Sequence, residues 1–168
     1  MSNDEVFFKW LNEYSVNIPT IDEQHQELVN ILNLLFIAVS KREGNKVIAG
    51  ILDSLMEYTQ THFTLEERLM KEANYQDFEH HKHEHKKLIE QLDQLSKKYM
   101  LEDKPIYFEM LNFLRNWLKE HILGCDTKYS AALQKAGFST TSWERQARVE
   151  FASMAAKKKQ WWKPWQSA

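Results

Sequence analysis

Histidines and carboxylates stand at the inward positions of four amphipathic segments in this 168-residue chain, where leucine, isoleucine or phenylalanine would be usual. His25, Leu28, Leu32, Leu35 and Val39 alternate steps of three and four, the period of one buried helical stripe. A second stripe reads Ile48, Leu52, Leu55, Thr59, His62, Glu66 and Leu69. A third reads Phe78, His81, His85, Leu88, Leu92, Leu95 and Tyr99, and a fourth Leu111, Leu114, Leu118 and His121, with Asp126 close behind. Burying such polar groups without partners costs about 2–7 kcal/mol each. A fold that keeps them inside must therefore bring them to one another or to something else.

The segments carry their own start and stop signals. Thr20-Ile21-Asp22-Glu23 reads as a capping box that opens the first helix after an aromatic arm over residues 1–21 (Phe7, Phe8, Trp10, Tyr14). Gly44 is expected to end that helix behind Lys41 and Arg42. Helices two and three are predicted over roughly 45–73 and 77–100. Pro105 suits the first turn of a fourth, which Gly137 stops. Only four Gly and three Pro punctuate the chain, too few for the turns of an all-β domain. Short connections make successive helices antiparallel neighbours, so the predicted fold is all-α: an up-down-up-down four-helix bundle over residues 1–137. Residues 138–168 follow as a basic, Trp-rich segment. There Thr141-Ser142-Trp143-Glu144 forms a second capping box, opening a fifth helix to about Lys159 with Trp143, Ala147, Phe151 and Met154 on one side.

Lys plus Arg number 22 and Asp plus Glu 24, a near balance that argues against a nucleic-acid binder. The charge is divided unevenly: residues 138–168 hold six basic and two acidic side chains, the rest of the chain 16 and 22. A single cysteine, Cys125, excludes an internal disulfide and fits a reducing compartment; it is expected to be a small buried packing residue. The acidic start Met1-Ser2-Asn3-Asp4-Glu5 is unlike a signal peptide, and the longest clean apolar run, Leu34 to Val39, is too short to span a bilayer. A cytoplasmic protein is expected.

Position along the helices strengthens the pattern. At about 1.5 Å per residue, His25 lies early in helix one and His62 and Glu66 late in helix two. His81 and His85 lie early in helix three, His121 and Asp126 late in helix four. In an antiparallel bundle all seven meet at one end. His62 and Glu66 are four apart, as are His81 and His85, a spacing at which both side chains can reach one metal or adjacent metals. His80 and His83 fall off the stripe and are expected to be exposed. Five imidazoles and two carboxylates exceed what one tetrahedral zinc can use, which predicts a binuclear site, and the mixed donor set points to iron. Between His121 and Asp126 the spacing is awkward. Five residues of regular helix is a rotation of about 500°, leaving the two about 140° apart. A widened, π-type turn is therefore predicted between them, where Gly124 eases distortion.

The segments Ile18-Pro19-Thr20-Ile21-Asp22-Glu23-Gln24-His25, His62-Phe63-Thr64-Leu65-Glu66-Glu67, Tyr75-Gln76-Asp77-Phe78 with His81 and His85, and His121-Ile122 with Asp126 resemble hemerythrin in its bacterial form. The resemblance covers residues 7 to about 136, and Gln76 stands where the family commonly has Pro. It implies two Fe ions, His81, His85 and His121 on one and His25 and His62 on the other. Glu66, Asp126 and an oxo or hydroxo group would bridge them. One coordination position is left open, at which the resemblance implies reversible O2 binding for storage, transport or delivery to an oxygen-consuming enzyme. Phe63, Trp117, Leu118 and Ile122 are then implied to line the O2 pocket, with no catalytic residues. Two carboxylates and five imidazoles, against the four carboxylates and two histidines of ferritin-like di-iron proteins, favour carrying oxygen over cleaving it. The alternatives are an oxygen or redox sensor or adaptor acting through the tail, and a di-iron enzyme handling peroxide or nitric oxide. Trp143, Trp161, Trp162 and Trp165 among Lys and Arg would suit a membrane-surface or protein contact through residues 143–165. The favoured reading instead packs the Trp143 and Phe151 side on the bundle.

Overall fold

A computed structural model of the chain describes the backbone of residues 6–101 and 107–162 and the side chains of 6–99 and 107–153. Among the described residues every regular element is helical. An arm with a 3-10 turn at Asn12–Tyr14 leads into α1 (Pro19–Ser40), α2 (Asn45–Glu72) and α3 (Phe78–Leu101). Then come α4 (Tyr107–His121), a π-turn (Ile122–Asp126), α5 (Thr127–Lys135) and α6 (Thr141–Trp162). Helix α1 packs on α2, α2 on α3, α3 on α4 and α4 back on α1, a closed four-cornered bundle. The expected start of the fourth helix at Pro105 lies outside the described residues. So do Met1–Glu5, the side chain of Met154 and those of the basic run from Lys157 to Trp165.

The apolar stripes explain this arrangement. Leu28, Leu32, Leu35, Leu52, Leu55, Leu88, Leu92, Leu111 and Leu114 are all buried, each contributing about 1.5–3 kcal/mol on leaving water. The arm covers one flank, burying Phe8, Tyr14, Val16 and Ile18. It is held by Asp22, whose carboxylate accepts the Ser15 hydroxyl at 2.6 Å and the Val16 N–H at 2.8 Å.

Several boundaries differ from the sequence reading. Gly44 does not end α1. Arg42 takes the left-handed conformation there (φ 54°), and the Glu43 N–H closes back on the Ala38 carbonyl at 2.9 Å, a Schellman end. Gly44 is instead the residue before α2. The same closure ends α2 at Asn74 (φ 53°), where Tyr75 bonds Met70, and α5 at Gly137 (φ 66°), where Phe138 bonds Leu133. Nor is Thr20 the N-cap of α1. The helix begins at Pro19, two residues earlier than a Thr20 cap would place it, Ile18 offers no side-chain cap, and Thr20 turns its hydroxyl to Glu144 in α6 at 2.7 Å. At α6 the residue before the helix is Thr140 rather than Thr141, and its hydroxyl donates to the Glu144 carboxylate at 2.7 Å. Cys125 is half-buried rather than fully buried. No helix of the described residues is long and apolar enough to cross a membrane.

Candidate metal centre

All seven expected side chains meet at one end of the bundle, each at least nine-tenths buried. The first turns of α1 and α3 bring His25, His81 and His85. The last turns of α2 bring His62 and Glu66, and α4 with its π-turn brings His121 and Asp126. Glu66, His81, His85, His121 and Asp126 form one group of donors within 4.8 Å of one another; His25, His62 and Glu66 form a second. Asp126 faces both ways. Its Oδ1 lies 3.1 Å from His121 Nε2 and 3.3 Å from His81 Nε2, its Oδ2 3.2 Å from His25 Nε2. Glu66 Oε2 stands 3.2 Å from His85 Nε2 and 3.7 Å from His62 Nε2. His80 and His83 are exposed on the other side of α3.

Partners outside the cluster fix which nitrogens face in. The Nδ1–H of His85 donates to Glu67 Oε1 at 3.0 Å, and that of His62 to Gln24 Oε1 at 2.8 Å. Because a carboxylate or amide oxygen only accepts, each of the two imidazoles in its neutral form turns an Nε2 lone pair toward the centre. Sequence reasoning missed Gln24 and Glu67, although each adjoins a ligand-type residue in the chain, His25 and Glu66. It also missed Tyr129, one turn beyond Asp126. Its ring meets His81 edge-on at 5.5 Å, and its buried hydroxyl faces Glu66.

The electrostatics call for a cation. Burial and mutual repulsion push the Glu66 carboxyl up, yet the surrounding imidazoles hold it, like Asp126, well below the usual carboxylate range. Both are therefore charged, and imidazole nitrogens stand 3.1–3.7 Å from Glu66 Oε2 and the two Asp126 oxygens. Burial lowers the imidazoles of His25, His62, His81 and His85, but the carboxylates outweigh it at His25, His85 and His81, raising the last to about 10. His62, farther from a carboxylate, is governed by burial and falls to about 3. Buried carboxylates are costly unless paired with positive charge, which imidazolium protons supply in the metal-free chain and bound ions would supply in their place. The spacing of the nitrogens fits the same conclusion: His81 and His85 Nε2 are 3.0 Å apart, His85 and His121 Nε2 3.1 Å. Donors at bonds of about 2.1 Å to one ion lie about 3.0 Å apart in an octahedron and about 3.4 Å apart in a tetrahedron. The donor set thus fits metal ions, and fits octahedral ones best.

Aromatic and aliphatic residues enclose the cluster. Phe63 stacks on His85 at 3.6 Å and 3°, and Trp117 on His121 at 4.5 Å and 14°. A cavity of about 30 Å³ lies beside the donors, with Trp117 and Leu118 in its wall together with Leu28, Thr59, Leu88 and Leu114. Leu28, Thr59, Leu88 and Leu118 each stand one helical turn from a histidine of the cluster, so the cavity is the layer next to the donors. Phe63 and Ile122 are buried but not in that wall.

Comparison with known proteins agrees with this geometry. The hemerythrin HHE cation binding domain matches residues 16–133. A bacteriohemerythrin of Methylococcus capsulatus is 33% identical over 122 residues, 72% of this chain and 92% of its own length. One from Clostridium acetobutylicum is 32% identical over 126 residues, 73% of this chain and 98% of its own. A crystal structure of wild-type hemerythrin superposes with a TM-score of 0.67 at 32% identity, covering 75% of this chain and 97% of that one. With its bundle, its cluster of buried donors and a match spanning most of its length, the chain belongs to the hemerythrin family.

Proposed function

We propose that this chain binds O2 reversibly at a non-haem di-iron centre, for storage, transport or delivery. The observation that carries the reading is the pair of fully buried carboxylates, Glu66 and Asp126, set between two unequal groups of imidazoles. His81, His85 and His121 would hold one iron and His25 and His62 the other, with Glu66 and Asp126 shared. Mixed nitrogen and carboxylate donors with an octahedral edge support iron over tetrahedral zinc. When bound, such a pair supplies two-electron chemistry toward O2. The His25–His62 side has the fewer donors, which leaves room there for an outside ligand.

The protein's own contribution is positioning and dryness. Gln24 and Glu67 hold His62 and His85 in the tautomer that faces inward. The cavity beside the donors is walled almost wholly by leucines and Trp117, and an apolar cavity of its size admits a molecule of one or two heavy atoms without holding water firmly. Excluding water and protons supports release of O2 unchanged. Five neutral imidazoles with two carboxylates support a carrier rather than an enzyme. The test is an absorption spectrum of the ferrous, iron-loaded chain taken through repeated cycles of oxygen and its removal. Bands that appear with oxygen and vanish without it, at two irons per chain, are expected; oxidation that does not reverse would overturn the proposal.

A further inference from the structure

Helix α6 lies beyond the residues matched by the family domain, yet it is bolted to the part of the bundle that carries the donors. Trp143 is buried, and its Nε1–H donates to the carbonyl of Leu65, the chain neighbour of Glu66, at 2.7 Å. Glu144 accepts the Thr20 hydroxyl at 2.7 Å and the Thr20 N–H at 3.3 Å, so α6 supplies the cap that α1 lacks from its own side chains. Arg148 forks onto Glu23 at 3.0 and 3.1 Å, and Glu150 pairs with Arg68 at 2.9 Å. All four links land on α1 between residues 20 and 23 or on α2 between 65 and 68. Those positions flank His25, His62 and Glu66. Between them, α6 roofs a cleft of about 260 Å³ lined by Thr20, Glu23, Gln24, Tyr58, Arg148 and Phe151. Gln24, the partner of His62, is in its lining.

The two donor groups share Glu66 of α2 and otherwise draw on different helices. The five-donor group draws on α2, α3 and the α4 end, whereas His25, His62 and Glu66 come from α1 and α2 alone. Anything that sets the spacing of α1 against α2 at this level sets the three-donor group first. We propose that α6 is a clamp for that half of the centre, with Trp143 and Glu144 as positioning residues that act through Leu65 and Thr20. Losing the clamp lets the start of α1 move away from the end of α2, and the ion held by His25 and His62 is released before the other. The inference rests on the two-metal reading above.

The test uses the full chain, loaded anaerobically with ferrous iron and challenged with a chelator whose ferrous complex is coloured; circular dichroism monitors the fold. The wild type holds two ions. In the Trp143→Phe, Glu144→Gln double variant, which keeps an aromatic ring but removes the indole N–H and the carboxylate charge, one ion is expected to leave about tenfold faster while the other keeps its rate, the scale of one or two lost hydrogen bonds. Arg148→Ala, a change at the exposed rim of the cleft, is expected to give the same selectivity at smaller size, and it decides the matter if the double variant does not fold. Equal acceleration of both ions, or none, would overturn the clamp. A wild type that takes up a single ion would overturn the two-metal reading, and the clamp with it.

Discussion

Asp126 follows His121 by five residues, and the π-turn between them brings its Oδ1 to 3.1 Å from the His121 Nε2. On a regular helix these side chains would diverge by about 140°. The extra residue in the turn absorbs the mismatch, while α4 and α5 continue on either side in ordinary helical geometry.

Glycine is not what makes the turn possible. Beyond its own stretch of helix backbone, nothing lies within 4 Å of where a Gly124 Cβ would sit, and its φ is not positive, so a side chain fits. Gly124→Ala is expected to stabilise the chain by about 0.4–1 kcal/mol by restricting the unfolded state, with metal content unchanged. Gly137, at φ 66°, is the opposite case, and Gly137→Ala should cost about 1 kcal/mol or more. Urea midpoints of the two variants should move in opposite directions.

Glu67 orients His85 from outside the donor cluster. Glu67→Ala is expected to weaken metal binding about 10–100-fold, the usual effect of removing such a partner, while Glu67→Gln, which keeps an acceptor oxygen, recovers most of it. Competition against a chelator of known affinity measures both. Equal losses in the two variants would mean that the negative charge, not the hydrogen bond, is what matters.

Leu118 is buried in the cavity wall one turn from His121. Leu118→Gln places an amide beside the donors and gives water a partner there. Faster oxidation of the oxygenated chain in air is expected, with iron content unchanged. An unaltered lifetime would count against the dry-cavity account.

Burial pushes the His81 imidazole down, but Asp126 and Glu66 push harder and carry it to about 10. A base with a higher pKa folded than unfolded contributes its full stabilisation below the unfolded value of 6.5, and loses it as pH rises through about 10. His25 and His85 shift in the same direction. The metal-free chain should therefore melt at progressively lower temperature between pH 6.5 and about 10. Metal binding requires neutral imidazoles and displaces those protons, so the loaded chain should show a flatter profile and release protons on loading. Calorimetry of both forms across this range is the check.

The four stripes, their antiparallel order and the seven converging donors were all legible in the sequence, because helical periodicity and the rise per residue are local properties of the chain. The π-turn was legible for the same reason: two residues that must share a face cannot be five apart on a regular helix. Tertiary structure decided the rest. The cap of α1 comes from Glu144, 124 residues away, and no local pattern encodes a partner at that distance. Thr20-Ile21-Asp22-Glu23 has the letters of a capping box, but docking of α6 takes Thr20 for Glu144 and Glu23 for Arg148, while the arm takes Asp22. Gln24, Glu67 and Tyr129 gained their places beside the donors in the same way. Periodicity tells which face of a helix is buried; only the packed neighbours determine what each buried or flanking polar group will meet there.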